Sequence, residues 1–333
     1  MFPALVGQFG PLVSITVVAV FMPVCTPPVR TLPATAATRA ESLWVAPTDL
    51  AERDLFYGSW GAENAPSADA TYQLVGVKHH GVNPGLTVRD PQGRKWSLKQ
   101  PLENGLAPEG PVEVTLSRVL DAVGYHQPPV YYLPSLTIAD DWGTHRVQGG
   151  RLRLSHPRLK EIDTWSWQQN PFVGTRPYQG LLAILLLFNS SDLKNSNNSL
   201  YVWRDGDRAE LRFVVRDLGT GLGSTGRFAP TKNDAEVYEH SRFILGVRRG
   251  FVDFDYHGWH QELVRQRLTP ADVGWAAHLL AGLTPQQWQD AFRAGGYTDA
   301  DAARFIRKIH LNIAEAMQVA DTATVRVAGL ERR

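Results

Sequence analysis

A single cysteine, Cys25, occurs among 333 residues, and it sits in an uncharged N-terminal stretch. The folded part therefore makes no internal disulfide, and thiol catalysis and cysteine-ligated zinc are excluded there. Net charge is nearly absent too: 34 Lys and Arg stand against 33 Asp and Glu, for a formal balance of +1. That balance argues against a nucleic-acid partner held by bulk electrostatics. No Gly-x-Ser-x-Gly, His-Glu-x-x-His or Walker A sequence is present, so the usual signatures of serine hydrolases, zinc peptidases and P-loop NTPases are missing. No repeat recurs at solenoid or propeller periods.

What is present is globular in character. Hydrophobic residues make up 43% and charged residues 20% of the chain, enough for one large domain or two closely joined lobes. Phe2 to Cys25 carries no charged side chain, and Leu12–Met22 is mainly apolar. That run is short for a membrane span and suits a signal-peptide core of ~7–15 residues. Pro3, Pro11 and Pro23 interrupt any long helix, and Ala34-Thr35-Ala36 offers a small-residue cleavage site. No Lys or Arg precedes the run, and the cleavage site lies well beyond it. Val24 is a poor neighbour for a lipidated Cys25. Residues 1–36 are thus read as a signal peptide or a membrane anchor, placing the protein in the periplasm or cell envelope. Membrane association, if retained, runs through this segment.

Residues 37–70 read as a linker with a short helix over Asp49–Phe56, and residues 71–155 as a β-rich lobe. Tyr72–Val77, Leu86–Arg89 and Lys95–Lys99 are β-prone runs joined by glycine- and proline-containing turns, which predicts three antiparallel strands. A helix follows from Pro111 to Val123, with Val112, Leu116, Val119, Leu120 and Val123 on one buried face. Val130–Leu133 and Arg146–Leu154 read as further strands. Residues 156–333 read as a mostly helical lobe. Leu181–Phe188 is almost unbroken in its apolar character and belongs in the middle of a core. Leu200–Trp203 and Leu211–Val215 form a hairpin around Arg204-Asp205-Gly206-Asp207, and three helices start after Thr269-Pro270, Thr284-Pro285 and Thr298.

Chemistry concentrates in a few places. Asp192-Leu193-Lys194-Asn195-Ser196-Asn197 places an Asp five residues before an Asn with a Lys between, the spacing of a kinase catalytic loop. There the Asp reaches an acceptor hydroxyl, the Asn ligates metal, and the Lys neutralises the transferred group. Downstream, an apolar strand ends in Asp217-Leu218-Gly219, where a kinase places its metal-binding Asp. Upstream, Lys99 closes the third strand and Glu113 lies in the next helix, the order of a phosphate-binding Lys and its helix partner. The turn containing Gly81, Asn83 and Gly85 sits where a phosphate-covering loop belongs, although it is no GxGxxG motif.

Taken singly, each piece has a plainer explanation: a polar turn, a strand-end turn, a surface lysine, a first-turn acid. Their order along the chain is what points to a phosphotransferase using ATP and Mg2+ or Mn2+, acting on a protein or small-molecule acceptor. A second reading is an exported pseudokinase that binds or scaffolds. A third is a metal-dependent hydrolase built on Asp253, Asp255, His257 and His260. His79-His80 adjoins the glycine turn, and Trp165 and Trp167 are read as packing residues.

Several segments also resemble a widespread bacterial family of exported proteins. They are Arg53-Asp54-Leu55-Phe56-Tyr57-Gly58, Asn83-Pro84, Trp96-Ser97-Leu98-Lys99, Glu113 through Gly124-Tyr125, Asp192-Leu193-Lys194 with Asn197-Asn198, Asp217-Leu218-Gly219, and Asp290 through Tyr297. The core of that family is similar to atypical kinases of the HipA and phosphoinositide-kinase kind. The resemblance implies an α+β, two-lobed protein-kinase-like fold: a small antiparallel sheet with one helix, then a mostly helical lobe. Ser190 and Ser191 depart from the His-Arg that precedes the catalytic Asp of protein kinases, and no Ala-Pro-Glu follows Asp217.

Overall fold

The computed structural model describes residues 39–78, 85–101, 109–228 and 230–330, with side chains through 325. The expected export segment with Cys25, the His79-His80 pair, and Gly81 and Asn83 lie outside the described residues. Strands β1 (Thr71–Lys78), β2 (Gly85–Arg89) and β3 (Lys95–Lys99) pair antiparallel. Alternation along β3 buries Trp96 and Leu98 completely and turns Ser97 and Lys99 to the other face. The β2–β3 turn is held by Asp90, which accepts from Arg94 N at 2.8 Å and from Trp96 Nε1 at 2.9 Å.

Strands β4 (Val130–Asp140) and β5 (Gly143–Leu154) form a longer hairpin than the apolar pattern predicts. Pro134 ends that pattern, since it has no N–H to give the ladder. The strand nevertheless continues, because Gly149 opposite lets the backbones close up: a Cβ there would lie 1.8 Å from Leu133 O. The extension corrects the expectation of a simple antiparallel sheet. The strands close into a barrel in the order β1-β2-β3-β5-β4, sealed by parallel pairing of β1 with β4 from Thr71↔Thr137 to Gln73↔Ala139. Closure removes the open edges such a small sheet would carry.

Helix α1 (Glu109–Ala122) links β3 to β4 and is buried nearly all round, not on one face only. Within it Arg118 donates to Phe56 O at 3.1 Å and lies 4.9 Å from the Tyr131 ring. Residues 37–70, read as a linker with a helix, hold three short 3-10 turns among the described residues, at Ala40–Ser42, Leu50–Glu52 and Ala62–Asn64, yet Leu43 and Leu55 are 1% exposed against α1 and its neighbours. Arg53 explains why. Its guanidinium donates to Asp121 O and Ala122 O at 3.1 and 2.9 Å, placing a cation on the last carbonyls of α1.

The remaining elements are β6 (Leu159–Asp163), α2 (Arg176–Leu187), β7 (Asn198–Asp205), β8 (Arg208–Val215), α3 (Ala235–His240), β9 (Ile244–Arg248), β10 (Phe251–Phe254), α4 (Pro270–Ala281), α5 (Pro285–Ala294) and α6 (Asp299–Leu330). The expected hairpin is β7–β8, joined by β6, whose Leu-Lys-Glu-Ile-Asp sequence is too polar to announce a strand. Helix α2 is capped by Thr175 and runs through the core, with Leu181 to Phe188 at most 3% exposed. Capping boxes at Thr269–Asp272 and Thr284–Gln287 start α4 and α5. Trp165 and Trp167 are buried against Phe213 and Tyr178.

Two apolar clusters result, one inside the barrel and one among α1, α2 and the later helices. The α5–α6 turn braces α1 on another side. A Cβ on Gly295 would meet Thr115 Oγ1 at 2.4 Å and Pro111 O at 2.7 Å, and Gly296 has φ +82° against the Tyr132 ring. Arg53→Ala should lower unfolding stability by about 1.5–3 kcal/mol in a denaturant titration, from the loss of two charge-assisted bonds. Unchanged stability would show that α1 does not depend on this cap.

Candidate active site

The outward face of β3 and β5 meets α1 across a cluster of opposite charges. Glu113, in the second turn of α1, is 1% exposed. Its Oε1 lies 2.8 Å from Arg151 Nε and 2.7 Å from Arg153 Nη2, and its Oε2 lies 3.6 Å from Lys99 Nζ. Three cations thus converge on one buried carboxylate, which offsets its loss of water. Burial and the neighbouring Arg153 guanidinium lower Arg151 to about 10, against the pull of Glu113. It remains charged at neutral pH.

Lys99 is shared further. Its Nζ lies 3.0 Å from Asp217 Oδ1, 118 residues away, and 2.6 Å from Glu109 Oε2. Burial alone would lower its pKa, but Glu113, Asp217 and Glu109 together raise it well above the ordinary lysine value. Asp217 follows β8 directly, and its side chain is 40% exposed. Its surroundings work against ionisation, yet Lys99, then Arg151 and Arg153, hold its carboxyl below the ordinary range.

Asn197 stands next to this strand end. Arg216 N donates to Asn197 O at 2.9 Å, and β7 begins at once with Asn198 paired to Val215. The Asn197 amide nitrogen donates to Asp192 O at 2.8 Å, folding the loop back on itself. Within that loop Lys194 Nζ lies 3.0 Å from Asp192 Oδ1 and 4.7 Å from the centre of the Trp259 ring. So Lys99, Glu113 and Asp217 meet in one ion cluster, and Asn197 adjoins its strand end through backbone, with Asp192 and Lys194 on the adjoining loop. Gly85 stands at the start of β2, paired to Lys99 on one side and Lys78 on the other.

Two groups of residues escaped the sequence reading. Glu109 bridges Lys99 and Lys232, tying α1 to the segment after Asp217. Burial would raise its carboxyl, but Lys99 and Lys232 hold it below the ordinary range. Gly219 permits the approach, since a Cβ there would lie 2.6 Å from Glu109 Cβ. As a first-turn acid Glu109 carries no signal that separates it from helix-dipole chemistry. The second group anchors the Asp192 loop. Ser191 O accepts from Trp259 N at 2.9 Å and from the Tyr256 hydroxyl at 3.1 Å, and a Cβ on Gly258 would meet that same oxygen at 2.4 Å.

The expected acid–histidine cluster does not assemble. Asp253 pairs with Arg248 at 3.2 Å, Asp255 with His257 at 2.9 Å, and His260 with Glu262 at 2.6 Å. Among the described residues no group of three or more His, Cys, Asp or Glu is placed to hold a metal ion. A cavity of about 1010 Å³ between the β9–β10 hairpin, α4 and α6 is neutral apart from Arg249 and supplies no acid–base pair.

Two outcomes follow. Glu113→Ala leaves Arg151 and Arg153 without their carboxylate and should cost on the order of 3–5 kcal/mol of stability in chemical denaturation; a loss below 1 kcal/mol would contradict the burial argument. Asp217 and Glu109 have folded-state pKa values below their ordinary 3.8 and 4.5. Their stabilising contribution is therefore complete above those values and lost as pH falls through the lower folded-state ones. Glu109→Gln should flatten the fall in stability below about pH 4.5; an unchanged acid limb would contradict this pairing.

No family model matches the chain, and no curated protein matches it. Among solved structures it is similar to the Helicobacter pylori proinflammatory kinase CtkA, at 10% identity and a TM-score of 0.44 over 77% of this chain and 98% of that one. It is also similar to hydra Fam20 solved with sugar, at 10% identity and a TM-score of 0.36 over 80% of this chain and 89% of that one.

Proposed function

We propose that this chain is an atypical kinase-like phosphotransferase that binds Mg-ATP between a barrel lobe and a helical lobe and phosphorylates an acceptor. The observation that carries the reading is the contact of Lys99 with Asp217 at 3.0 Å, with Glu113 behind it and Asn197 beside it. Lys99, Glu113 and Asp217 come from three separate stretches of chain, and this supports the reading because phosphoryl transfer uses residues of these types in this order.

In this reading Lys99, backed by Glu113, holds phosphate oxygens. Asp217 and Asn197 fit a small divalent cation: one carboxylate, 40% exposed, and one amide whose nitrogen is already committed to Asp192 O. Such a sparse set suits Mg2+, which keeps water and takes phosphate oxygens for its other positions. When bound, the metal neutralises charge on the transferring group. Asp192 orients the acceptor hydroxyl and takes its proton as the new oxygen–phosphorus bond forms and the bond to the leaving diphosphate breaks. Lys194, 3.0 Å from Asp192, offsets charge on the transferred group.

A second reading, a binding module without transfer, draws support from Glu109. It sits 2.6 Å from Lys99, closer than Glu113 at 3.6 Å, and so competes with any phosphate oxygen for the same ammonium. The two readings part on ligand binding. The thermal midpoint of the full chain should rise with ATP and Mg2+ or Mn2+ present together, by the equivalent of about 2.7 kcal/mol at a hundredfold excess over Kd. Asp217→Asn should abolish the rise. No rise with either metal would contradict the nucleotide site, and an undiminished rise in Asp217→Asn would remove Asp217 from it.

A further inference from the structure

The outward face of the barrel carries more positive charge than Lys99 and its partners explain. Cross-strand register puts Lys78, Gly85, Lys99 and Arg151 in one row over β1, β2, β3 and β5, with Ser97 and Arg153 paired in a second row. Adjacent strands lie about 4.8 Å apart, so the row is compact. Gly85 leaves the middle of it bare. A Cβ at that position would lie 3.2 Å from Lys78 Cδ and 3.3 Å from Lys78 Cβ, so the lysine stem runs beside the glycine. Its ammonium reaches Ser97 Oγ at 2.6 Å, two residues from Lys99 on the same strand face.

That hydroxyl is neutral, and among the described residues Lys78 makes no ion pair. Around it, Lys78, Lys99, Arg151, Arg153, Arg216 and Lys232 face only Glu109, Glu113, Glu161 and Asp217 among the described residues. Counted over the described residues, that is six cations against four carboxylates, a surplus of two. Burial, followed by Arg151, Arg153 and Arg216, lowers the Lys78 pKa, as expected for a cation with cationic neighbours. A Cβ on Gly76, two residues earlier on β1, would meet nothing within 4 Å, so the surface beside the row is open.

We propose that Lys78 is a second phosphate-binding cation, which holds the polyphosphate tail of a nucleotide beside Lys99 and makes the site selective for triphosphates. The inference rests on the nucleotide reading and adds to it the residue that reads tail length. A triphosphate carrying one divalent cation has about two net negative charges, which match the surplus. Adenosine has no tail and gains nothing from Lys78.

The test is calorimetric titration of the full chain, wild type and Lys78→Gln, with Mg-ATP, Mg-tripolyphosphate and adenosine. Lys78→Gln should weaken both triphosphates about tenfold or more and leave adenosine binding unchanged, and Lys78→Arg should restore the triphosphates. Wild-type-like triphosphate binding by Lys78→Gln would overturn the inference, and if Asp217→Asn still lost Mg-ATP the nucleotide reading would stand. Equal weakening of adenosine would also overturn it, by revealing a general disturbance of the barrel. Binding of tripolyphosphate but not ATP, lost in Lys78→Gln, would uphold the lysine and remove the nucleotide reading. Binding of neither by the wild type would overturn both.

Discussion

Everything at the candidate site depends on compensating the Glu113 carboxylate, which is almost fully removed from water. A carboxylate buried to 1% exposure is expensive unless cations compensate, and here Arg151, Arg153 and Lys99 do so from two different strands. That requirement fixes the depth at which α1 sits on the barrel. It also explains how the surrounding chain is used. Arg53 holds the C-terminal end of α1, Gly295 lets the α5–α6 turn touch Thr115 and Pro111, and Gly219 lets the segment after Asp217 touch Glu109. Arg53 and the turn at Gly295-Gly296 thus act as braces for one helix.

The loop bearing Asp192 is anchored by different means. Ser190 and Ser191 are 3% and 1% exposed, and the Ser191 carbonyl is held by Tyr256 and Trp259 from the segment after β10. A hydroxyl, a backbone N–H and a glycine supply the contact. Trp259 serves twice, since its ring also lies under the Lys194 ammonium. Within the loop so held, Asp192 and Lys194 lie 3.0 Å apart.

What could be read from the sequence was what is local. Strands β1 to β3, the core helix α2 and the Thr-capped helices α4 and α5 each carry their period, turn or cap within a short window. So does the Asp-x-Lys-x-x-Asn spacing, because those residues share one loop. What was not legible depends on distant contacts. Barrel closure needs β4 to continue past Pro134, which only Gly149 on the partner strand permits. Strand β6 is set by β7 and not by its own residues. Glu109 and Lys78 look like any first-turn acid and strand-end lysine; register and burial alone place them beside Lys99.

In the nucleotide reading, a divalent cation takes Asp217 and Asn197 from the described residues and leaves the rest of its coordination to nucleotide phosphates. Paramagnetic resonance of free Mn2+, titrated with the full chain in the presence and absence of ATP, tests that claim most directly. Weak Mn2+ binding by the protein alone and strong binding in a ternary complex with ATP, beyond what ATP binds by itself, is the expected result. Tight binding without nucleotide would mean a complete protein metal site, and no ternary enhancement would mean that Lys99, Glu113, Asn197 and Asp217 form a structural ion cluster with no nucleotide to hold.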